Sequence, residues 1–259
     1  SHHRTRLHVV VTAPADDHQL RTLTSEEPDK LVEWILGKEV TLRYIYLSHG
    51  HFDHWISAGY IAGHFPGVQI ISAPEVKADI ESQRANGESF RDQWAVLFQE
   101  PIPPAETFGF EVLTPERNIV RVGDYEFSIH SVGHSDGDDT TVLHVAPLNL
   151  VVAGDVVYNN VHQMFAEAPG GGFAAWRSAI DLVESLEPEI IIAGHRDYSR
   201  SDEAGKLLAE TRDYLGVAER VLATENTREG IFRAMTEAFP GRLNPFVPLF
   251  CADILLQSA

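Results

Sequence analysis

Four side chains that can bind a metal ion lie within six residues, in the run His49-Gly50-His51-Phe52-Asp53-His54. Imidazole nitrogen and carboxylate oxygen are ligands that suit zinc and related divalent ions, and such a cluster is costly to desolvate without a metal. A strand followed by a tight turn can aim His49 and His51 at one point and Asp53 and His54 at another, whereas a helix would scatter them. The run therefore predicts a metal site rather than a solvated histidine-rich loop.

The segment before this run predicts how the four side chains are positioned. Leu42 to Leu47 is rich in β-branched and aromatic residues, as expected of a buried strand. In open α/β sheets the functional site usually lies outside the C-terminal ends of the strands. We therefore expect this strand to deliver the ligands to that edge of its sheet.

Three further candidate ligands occur later in the chain, each just past a predicted strand. They are His134, Asp155 and His195, and the residue before each of them is glycine. Glycine lets the backbone turn sharply or approach another group closely. Taken alone, each would more often be a loop or capping residue, but the recurrence of one pattern favours a shared metal site.

With these residues in this order, the chain resembles the metallo-β-lactamase superfamily from about Leu42 to His195. The resemblance implies an α/β (α+β) fold, a four-layer αββα sandwich with accessory C-terminal helices. It also implies two metal ions with this ligand set: His49, His51 and His134 on the first ion, Asp53, His54 and His195 on the second, and Asp155 bridging the two. The family usually begins with an apolar strand that ends in an Asp-Thr-Gly-like turn. Leu7 to Asp17 is the only counterpart here, so we expect the first hairpin to be altered, shortened or partly absent.

The resemblance also implies the chemistry. Two divalent ions, zinc in the first place with manganese and iron as alternatives, lower the pKa of a shared water so that a bridging hydroxide can attack a carbonyl. Asp53 would bind the second ion and orient this water. Tyr158 resembles a tyrosine of the acyl-homoserine lactonase branch that donates to the substrate. A core tyrosine with its hydroxyl in solvent is the alternative interpretation.

Several features narrow the choice among branches of the family. Asp155 stands where β-lactamases of this fold generally carry Cys or Ser, and the first ligand pair is His-x-His rather than the His-x-Glu of the diiron branch. No basic C-terminal motif that would bind a glutathione conjugate is evident. We therefore favour hydrolysis of a small lactone or lactam. A glyoxalase-II-like thioesterase, a β-lactamase-like hydrolase and, from another class, a non-catalytic metal-binding module stay open.

Composition and charge limit the partners. The formal charge is −18 without a basic cluster, which argues against a nuclease and favours a small-molecule substrate. No apolar stretch is long enough to span a bilayer. Cys251 is the only cysteine, which fits a reducing compartment, and a cytoplasmic location is the default. Ser1 to His3 resembles an expression-tag remnant. A homodimer is left open.

Length and composition agree with one domain over residues 1–259, and the resemblance implies accessory helices and a tail over 202–259. The predicted strands cover 42–47, 68–73, 119–122, 125–132, 140–146, 148–153 and 189–193, and the predicted helices cover 28–36, 74–84, 202–223 and 227–239. A further helix has an inner stripe of Phe173, Trp176, Ile180 and Val183. A hairpin turn is expected at Gly123-Asp124.

The residues around the pocket are open to more than one interpretation. Trp55 either forms the bottom of the pocket or packs in the core beneath the loop. The polar residues after Tyr158 could line the mouth: Asn159, Asn160, His162 and Gln163, with His162 expected at the surface. The aromatic segment from Gly87 to Phe110 is either a lid or core packing. The run from Pro245 to Phe250 packs internally, caps the pocket or forms a dimer contact. The remaining histidines match no ligand position: His8, His18, His64, His130 and His144.

Overall fold

The computed structural model of the protein describes residues 6–11, 26–38, 40–85 and 108–257. In these ranges the strands are β1 (Arg6–Val11), β2 (Val40–Tyr46), β3 (Gln69–Ser72), β4 (Glu111–Val112), β5 (Ile119–Val122), β6 (Tyr125–Gly133), β7 (Thr140–Val145), β8 (Leu150–Gly154) and β9 (Ile190–Ala193). The α-helices are α1 (Glu26–Leu36), α2 (Ala58–Gly63), α3 (Pro74–Ala85), α4 (Gly172–Ser185), α5 (Ala204–Thr224), α6 (Arg228–Ala238) and α7 (Val247–Gln257).

The strands form two sheets. The first sheet has the order β1-β2-β3-β4 and all of its neighbours are parallel. The second has the order β5-β6-β7-β8-β9 and is antiparallel as far as β8, which pairs with β9 in parallel. The registers Leu143↔Val152 and Val152↔Ile192 place the ends of β8 and β9 side by side. Asp155 and His195 therefore follow two adjacent strands.

The two sheets pack face to face, with helices on both outer faces. Tyr46 and Ile71 of the first sheet lie in one buried cluster with Ile129, Leu143 and Val152 of the second. A second cluster joins the first sheet to α1, α2 and α3, and a third joins the second sheet to α4, α5, α6 and α7. The layers are helix, sheet, sheet and helix, which is the αββα sandwich predicted from the sequence.

The predicted elements match the observed ones to within a few residues at their ends. The hairpin of β5 and β6 turns at Gly123-Asp124, and Val122 pairs with Tyr125. The stripe of α4 is buried as predicted at Phe173, Trp176, Ile180 and Val183.

The C-terminal run from Pro245 begins a helix that the sequence analysis missed, because the two prolines look like helix breakers. Pro248 lies in the first turn of α7, where proline's missing N–H is tolerated. Cys251 and Ala252 are fully buried in the core with α5 and α6. Within the run itself, Pro248 is buried and Val247 packs against this core, which favours internal packing among the three interpretations.

The N-terminal strand β1 is not one arm of an antiparallel hairpin. β1 pairs with β2 in parallel, with Leu7 opposite Thr41 and Val11 opposite Tyr46. The first hairpin is therefore altered, as expected: β1 is a parallel strand at the edge of the described sheet. Thr12 to Asp17, the rest of this segment, lies outside the described residues. No helix of the described ranges is long and apolar enough to cross a membrane.

Candidate metal centre

The histidine-rich run, residues 49–54, forms a loop at the end of β2. Two hydrogen bonds hold this loop, one from Trp55 and one from Thr141 of the second sheet. The indole Nε1 of Trp55 donates to the carbonyl of Gly50 over 2.8 Å, and the Trp55 side chain is 2% exposed. The Thr141 hydroxyl donates to the carbonyl of Ser48 over 2.7 Å. Trp55 is therefore a core tryptophan beneath the loop. The loop backbone is fixed before any ligand binds.

The loop brings together side chains from distant parts of the chain. In the described residues, three groups have ligand atoms that all lie within 4.8 Å of one another: His49, His54 and Asp155; His49, His51 and Asp136; Asp53, His54 and His195. His49 belongs to two of the groups, and so does His54. The clusters are therefore contiguous and form one centre.

Asp155 lies between two histidines. Its Oδ1 is 3.4 Å from Nε2 of His54, and its Oδ2 is 3.1 Å from Nε2 of His195. Nε2 of His195 is also 3.4 Å from Oδ2 of Asp53. Asp155 is 1% exposed, so its carboxylate is shared between the buried ring of His54 and the partly buried ring of His195 rather than solvated.

Glycine permits this close approach, as the strand–glycine–ligand pattern predicted. A Cβ on Gly194 would lie 2.1 Å from Oδ1 of Asp155 and 3.0 Å from Cε1 of His54. Real Cβ atoms do not come that near, so any other residue would displace the carboxylate. A Cβ on Gly137 would likewise lie 2.9 Å from Nε2 of His51. Both glycines leave room for ligand side chains.

His134 stands apart from these groups. Its Nδ1 is 2.8 Å from Oδ1 of Asp138, an arrangement that orients the ring. Its Nε2 is buried and has no hydrogen-bond partner, although it belongs to none of the three groups found in the described part of the chain. The structure thus brings six of the seven predicted ligands into the clusters and leaves the seventh outside them, with a ring nitrogen that is open to a ligand.

Asp136 is a member of the centre that the sequence analysis did not select. Its side chain is fully buried, and its Oδ2 is 2.9 Å from Nδ1 of His51 and 4.0 Å from Nε2 of His49. The signal was available, because Asp136 lies two residues past His134 in a Gly-His-Ser-Asp-Gly run.

The donor set and its burial fit a divalent metal ion. Nε2 of His49 is buried without a hydrogen-bond partner, an arrangement that costs free energy unless something else binds it. Burial, with the nearby His54, lowers the pKa of His49 to about 3, so this ring is neutral and can act as a ligand. Imidazole and carboxylate together suit zinc and its neighbours in the periodic table.

Tyr158 points into the centre rather than out to solvent. Its side chain is 2% exposed, and its hydroxyl donates to Oδ2 of Asp155 over 2.8 Å. Burial, reinforced by the negative charge of Asp155, raises the pKa of Tyr158 well above its ordinary value, so the phenol keeps its proton. The solvent-facing alternative for this hydroxyl is wrong.

The polar residues after Tyr158 are mostly structural. Nδ2 of Asn159 donates to Asp202, and Nδ2 of Asn160 donates to Asp197 over 2.8 Å. His162, expected at the surface, is 2% exposed with Nδ1 3.0 Å from the Tyr214 hydroxyl. The error has a physical reason: α5 and the segment before α7 cover this loop, and sequence periodicity within the loop does not reveal them.

Two other expectations have partial outcomes. The segment proposed as a lid lies outside the described residues except for its end, where Phe108 and Phe110 pack against the cluster of the first sheet. His64, His130 and His144 belong to no ligand group, as predicted, whereas the side chains of His8 and His18 are outside the described part.

Comparison with known proteins agrees with this fold. Residues 22–195 match the family described as the metallo-beta-lactamase superfamily. The chain belongs to this superfamily and is a hydrolase with histidine and aspartate groups that could hold a metal.

The individual proteins that the chain resembles share little sequence identity with it. The chain is similar to hydroxyacylglutathione hydrolase GloC of Haemophilus influenzae, with 26% identity over 185 residues that cover 67% of this chain and 77% of that protein. Among solved structures, a metallo-beta-lactamase family protein from Thermus thermophilus has a TM-score of 0.61 at 15% identity, covering 96% of this chain and 84% of its own. The mono-zinc form of FIM-1 from Pseudomonas aeruginosa has a TM-score of 0.53 at 15% identity, covering 83% and 80%. These two likenesses concern the fold alone.

Proposed function

We propose that the protein is a dinuclear metal-dependent hydrolase that opens a small cyclic ester or amide, a lactone or a lactam. The observation that carries the proposal is the position of Asp155, whose carboxylate forms one group of close ligand atoms with His49, assigned to the first ion, and His54, assigned to the second. A carboxylate shared in this way is suited to bridging two ions. A single structural zinc is usually closed by four ligands and needs no such bridge.

The ligand assignment of the proposal follows the order of the motif. His49, His51 and His134 hold one ion, Asp53, His54 and His195 hold the other, and Asp155 joins them. Zinc is the metal that this donor set favours first, with manganese and iron as alternatives. When bound, such a pair supplies an acidified water and a Lewis acid for the carbonyl oxygen.

Two residues are proposed to have catalytic roles: Asp53, in addition to its role as a metal ligand, and Tyr158. Asp53 is partly exposed, with Oδ2 facing His54 and His195, so its carboxylate can orient the attacking water and hold a proton for the leaving group. Tyr158 holds Asp155 in this structure. To act as a donor to the substrate, its hydroxyl exchanges that hydrogen bond for one to the carbonyl or leaving oxygen.

The charge around the centre favours a neutral or modestly anionic substrate. Glu167, whose side chain is 49% exposed, has Oε1 3.5 Å from Nε2 of His51. Asp138, at 85% exposed, lies beside His134. The formal charge of the whole chain is −18, of which two bound divalent ions would offset only part, so a strongly anionic substrate would be repelled during approach. A neutral lactone or lactam is not.

A thioester is the second candidate, because the relative from Haemophilus influenzae is a hydroxyacylglutathione hydrolase. The same acidic side chains, Asp138 and Glu167, oppose the approach of a glutathione conjugate, which carries net negative charge. We therefore rank the thioesterase below the lactone or lactam hydrolase. A β-lactamase-like activity is a subset of the lactam alternative.

A substrate panel tests the proposal. Chromogenic lactones, β-lactams, aryl-fused lactams and glutathione thioesters are offered to the purified protein, stripped of metal and then restored with zinc. We expect turnover of a lactone or lactam that appears only with metal. Turnover confined to thioesters would replace the substrate class, and binding of one ion without any hydrolysis would favour the non-catalytic metal-binding module.

The lone cysteine also bears on the compartment. Cys251 is buried and free, and burial raises the pKa of its thiol to about 12, so it takes no part in catalysis as a nucleophile. A chain without an internal disulfide fits the reducing cytoplasm, where we place the protein. We propose a small-molecule substrate as its partner and no nucleic acid or membrane, with a homodimer left to a measurement of mass in solution.

A further inference from the structure

Asp136 is a buried carboxylate that faces two histidines of the metal centre, and in the part of the chain that the structure describes no lysine or arginine forms an ion pair with it. Its ion-pair partners among the described residues are His49 and His51. A buried charge is costly unless it is paired or binds a metal, and two imidazoles that serve as ligands cannot both carry a compensating proton. When no metal is bound, a protonated His51 can balance the carboxylate, and a cation between the three side chains would take over that role.

The carboxylate is held so that one oxygen is presented to the centre. The hydroxyl of Ser135 donates to Oδ1 over 2.9 Å, and Ser135 is itself tied to Thr140 at 2.9 Å. Oδ2 is directed to His51 and His49, with the Tyr158 hydroxyl 3.4 Å away. Asp136 is thus oriented by its neighbours rather than by chance packing.

The ligand atoms of His49, His51 and Asp136 all lie within 4.8 Å of one another, close enough for one ion to reach all three. Two ligand atoms on one tetrahedral zinc ion, at the usual metal–ligand lengths, lie roughly 3.3–3.6 Å apart. The distances from Oδ2 to the ring nitrogens of His51 and His49, 2.9 and 4.0 Å, fall on either side of that range. Nε2 of His49 is buried with no hydrogen-bond partner, which is a second and independent sign of a ligand at this point.

We propose that Asp136 is a direct ligand of the ion held by His49 and His51, in addition to the seven residues of the family pattern. Asp136 would be the fifth protein ligand of this ion, after the three histidines assigned to it and the bridging Asp155, and catalytic zinc can expand to five ligands. The inference rests on the proposed metal centre. It changes the charge of that centre, because a third carboxylate joins Asp53 and Asp155.

Metal titration of Asp136→Asn tests the proposal, with Asp139→Asn as the matched control. Asp139 is an exposed carboxylate three residues further on, in the left-handed region at φ 56, which asparagine tolerates. Both substitutions remove one negative charge from the same loop. Asparagine at 136 keeps an oxygen that can accept a hydrogen bond from His51 but is a far weaker metal ligand. A role confined to orienting His51 therefore survives the substitution largely intact.

Zinc affinity by chelator competition and the visible spectrum of the cobalt-substituted protein are the readouts, with circular dichroism to confirm folding. We expect Asp136→Asn to bind one ion more than about 100-fold more weakly, beyond the 10–100-fold that loss of an outer hydrogen-bond partner causes, and to alter the cobalt spectrum. Asp139→Asn stays within about threefold of the parent. A smaller loss with an unchanged cobalt spectrum overturns the role of Asp136 while the metal centre stands. A parent protein that binds no divalent metal overturns both.

Discussion

The hydroxyl of Tyr158 donates to Oδ2 of Asp155 over 2.8 Å while its ring stacks on His195, with centroids 5.4 Å apart and planes 9° from parallel. One side chain thus fixes two members of the metal centre that follow different strands. The hydrogen bond orients the carboxylate of Asp155, and the stacking contact orients the imidazole of His195. Tyr158 links β8 to β9 at the edge where both deliver a ligand.

Tyr158→Phe separates these two contacts, because it removes the hydroxyl and keeps the ring. A hydrogen bond to a charged group contributes about 1.5–3 kcal/mol, so we expect turnover of the best substrate to fall roughly 10- to 100-fold. Steady-state kinetics with saturating zinc measure the change. Unaltered kcat and KM would remove Tyr158 from the catalytic machinery.

Tyr46→Phe is the control for that experiment. Tyr46 is also fully buried, and its hydroxyl bonds to Thr141 at 2.7 Å instead of to a ligand. We expect this variant to lose a comparable amount of stability and to keep its kcat. An equal fall in kcat for both variants would show that loosening of the core, rather than the contact with Asp155, explains the effect.

Gly194→Ala is expected to disable the centre without unfolding the sandwich. The new methyl group would lie 2.1 Å from Oδ1 of Asp155, so the carboxylate must move. We expect zinc affinity to fall at least about tenfold, as measured by chelator competition. Gly109→Ala is the matched control, since nothing lies within 4 Å of its Cβ. Parent-like zinc affinity in Gly194→Ala would argue against the position of Asp155.

Removal of metal is expected to lower thermal stability. An ion that binds the folded state at 100 times its Kd stabilises it by about 2.7 kcal/mol, which corresponds to roughly 5–10 °C in Tm for a chain of this size. Differential scanning calorimetry with and without a chelator measures the shift, and added zinc should restore it. A Tm that does not respond to chelator or to zinc would contradict a metal bound in the buried cluster.

Acidification is expected to destabilise the fold through His162, away from the metal centre. Burial, with the nearby positive charge of Arg242, lowers the pKa of His162 to about 4. Below the ordinary value near 6.5 the unfolded chain takes up a proton that the folded chain refuses, so stability is full above that pH and falls as pH approaches 4. Urea unfolding at several pH values should show a weaker loss in His162→Gln than in the parent. Equal losses would mean that His162 is not responsible.

Much of the fold was predictable because its signals are local. The strand over 42–47 and the Gly123-Asp124 hairpin depend on β-branched runs and turn chemistry within a few residues. The inner stripe of α4 follows from helical spacing. Six of the seven predicted ligands were found together because each follows a strand that ends at the same edge.

The features that were missed depend on contacts between distant segments. The burial of His162 arises from Tyr214 on α5, 52 residues away. Asp136 becomes a partner of His51 only when β6 and β2 meet across the two sheets. The direction of the Tyr158 hydroxyl likewise depends on the turn after β8, which spacing alone did not reveal. Local patterns therefore predicted the elements better than the side-chain partners.

Metal stoichiometry tests the central claim most directly. The parent protein and Asp155→Ala are dialysed against zinc, and bound metal per chain is measured by mass spectrometry together with hydrolysis of the best substrate. We predict about two ions per parent chain, the loss of at least one in Asp155→Ala, and the loss of hydrolysis with it. Unchanged metal content and near-parent turnover in Asp155→Ala would contradict a dinuclear centre built on this carboxylate.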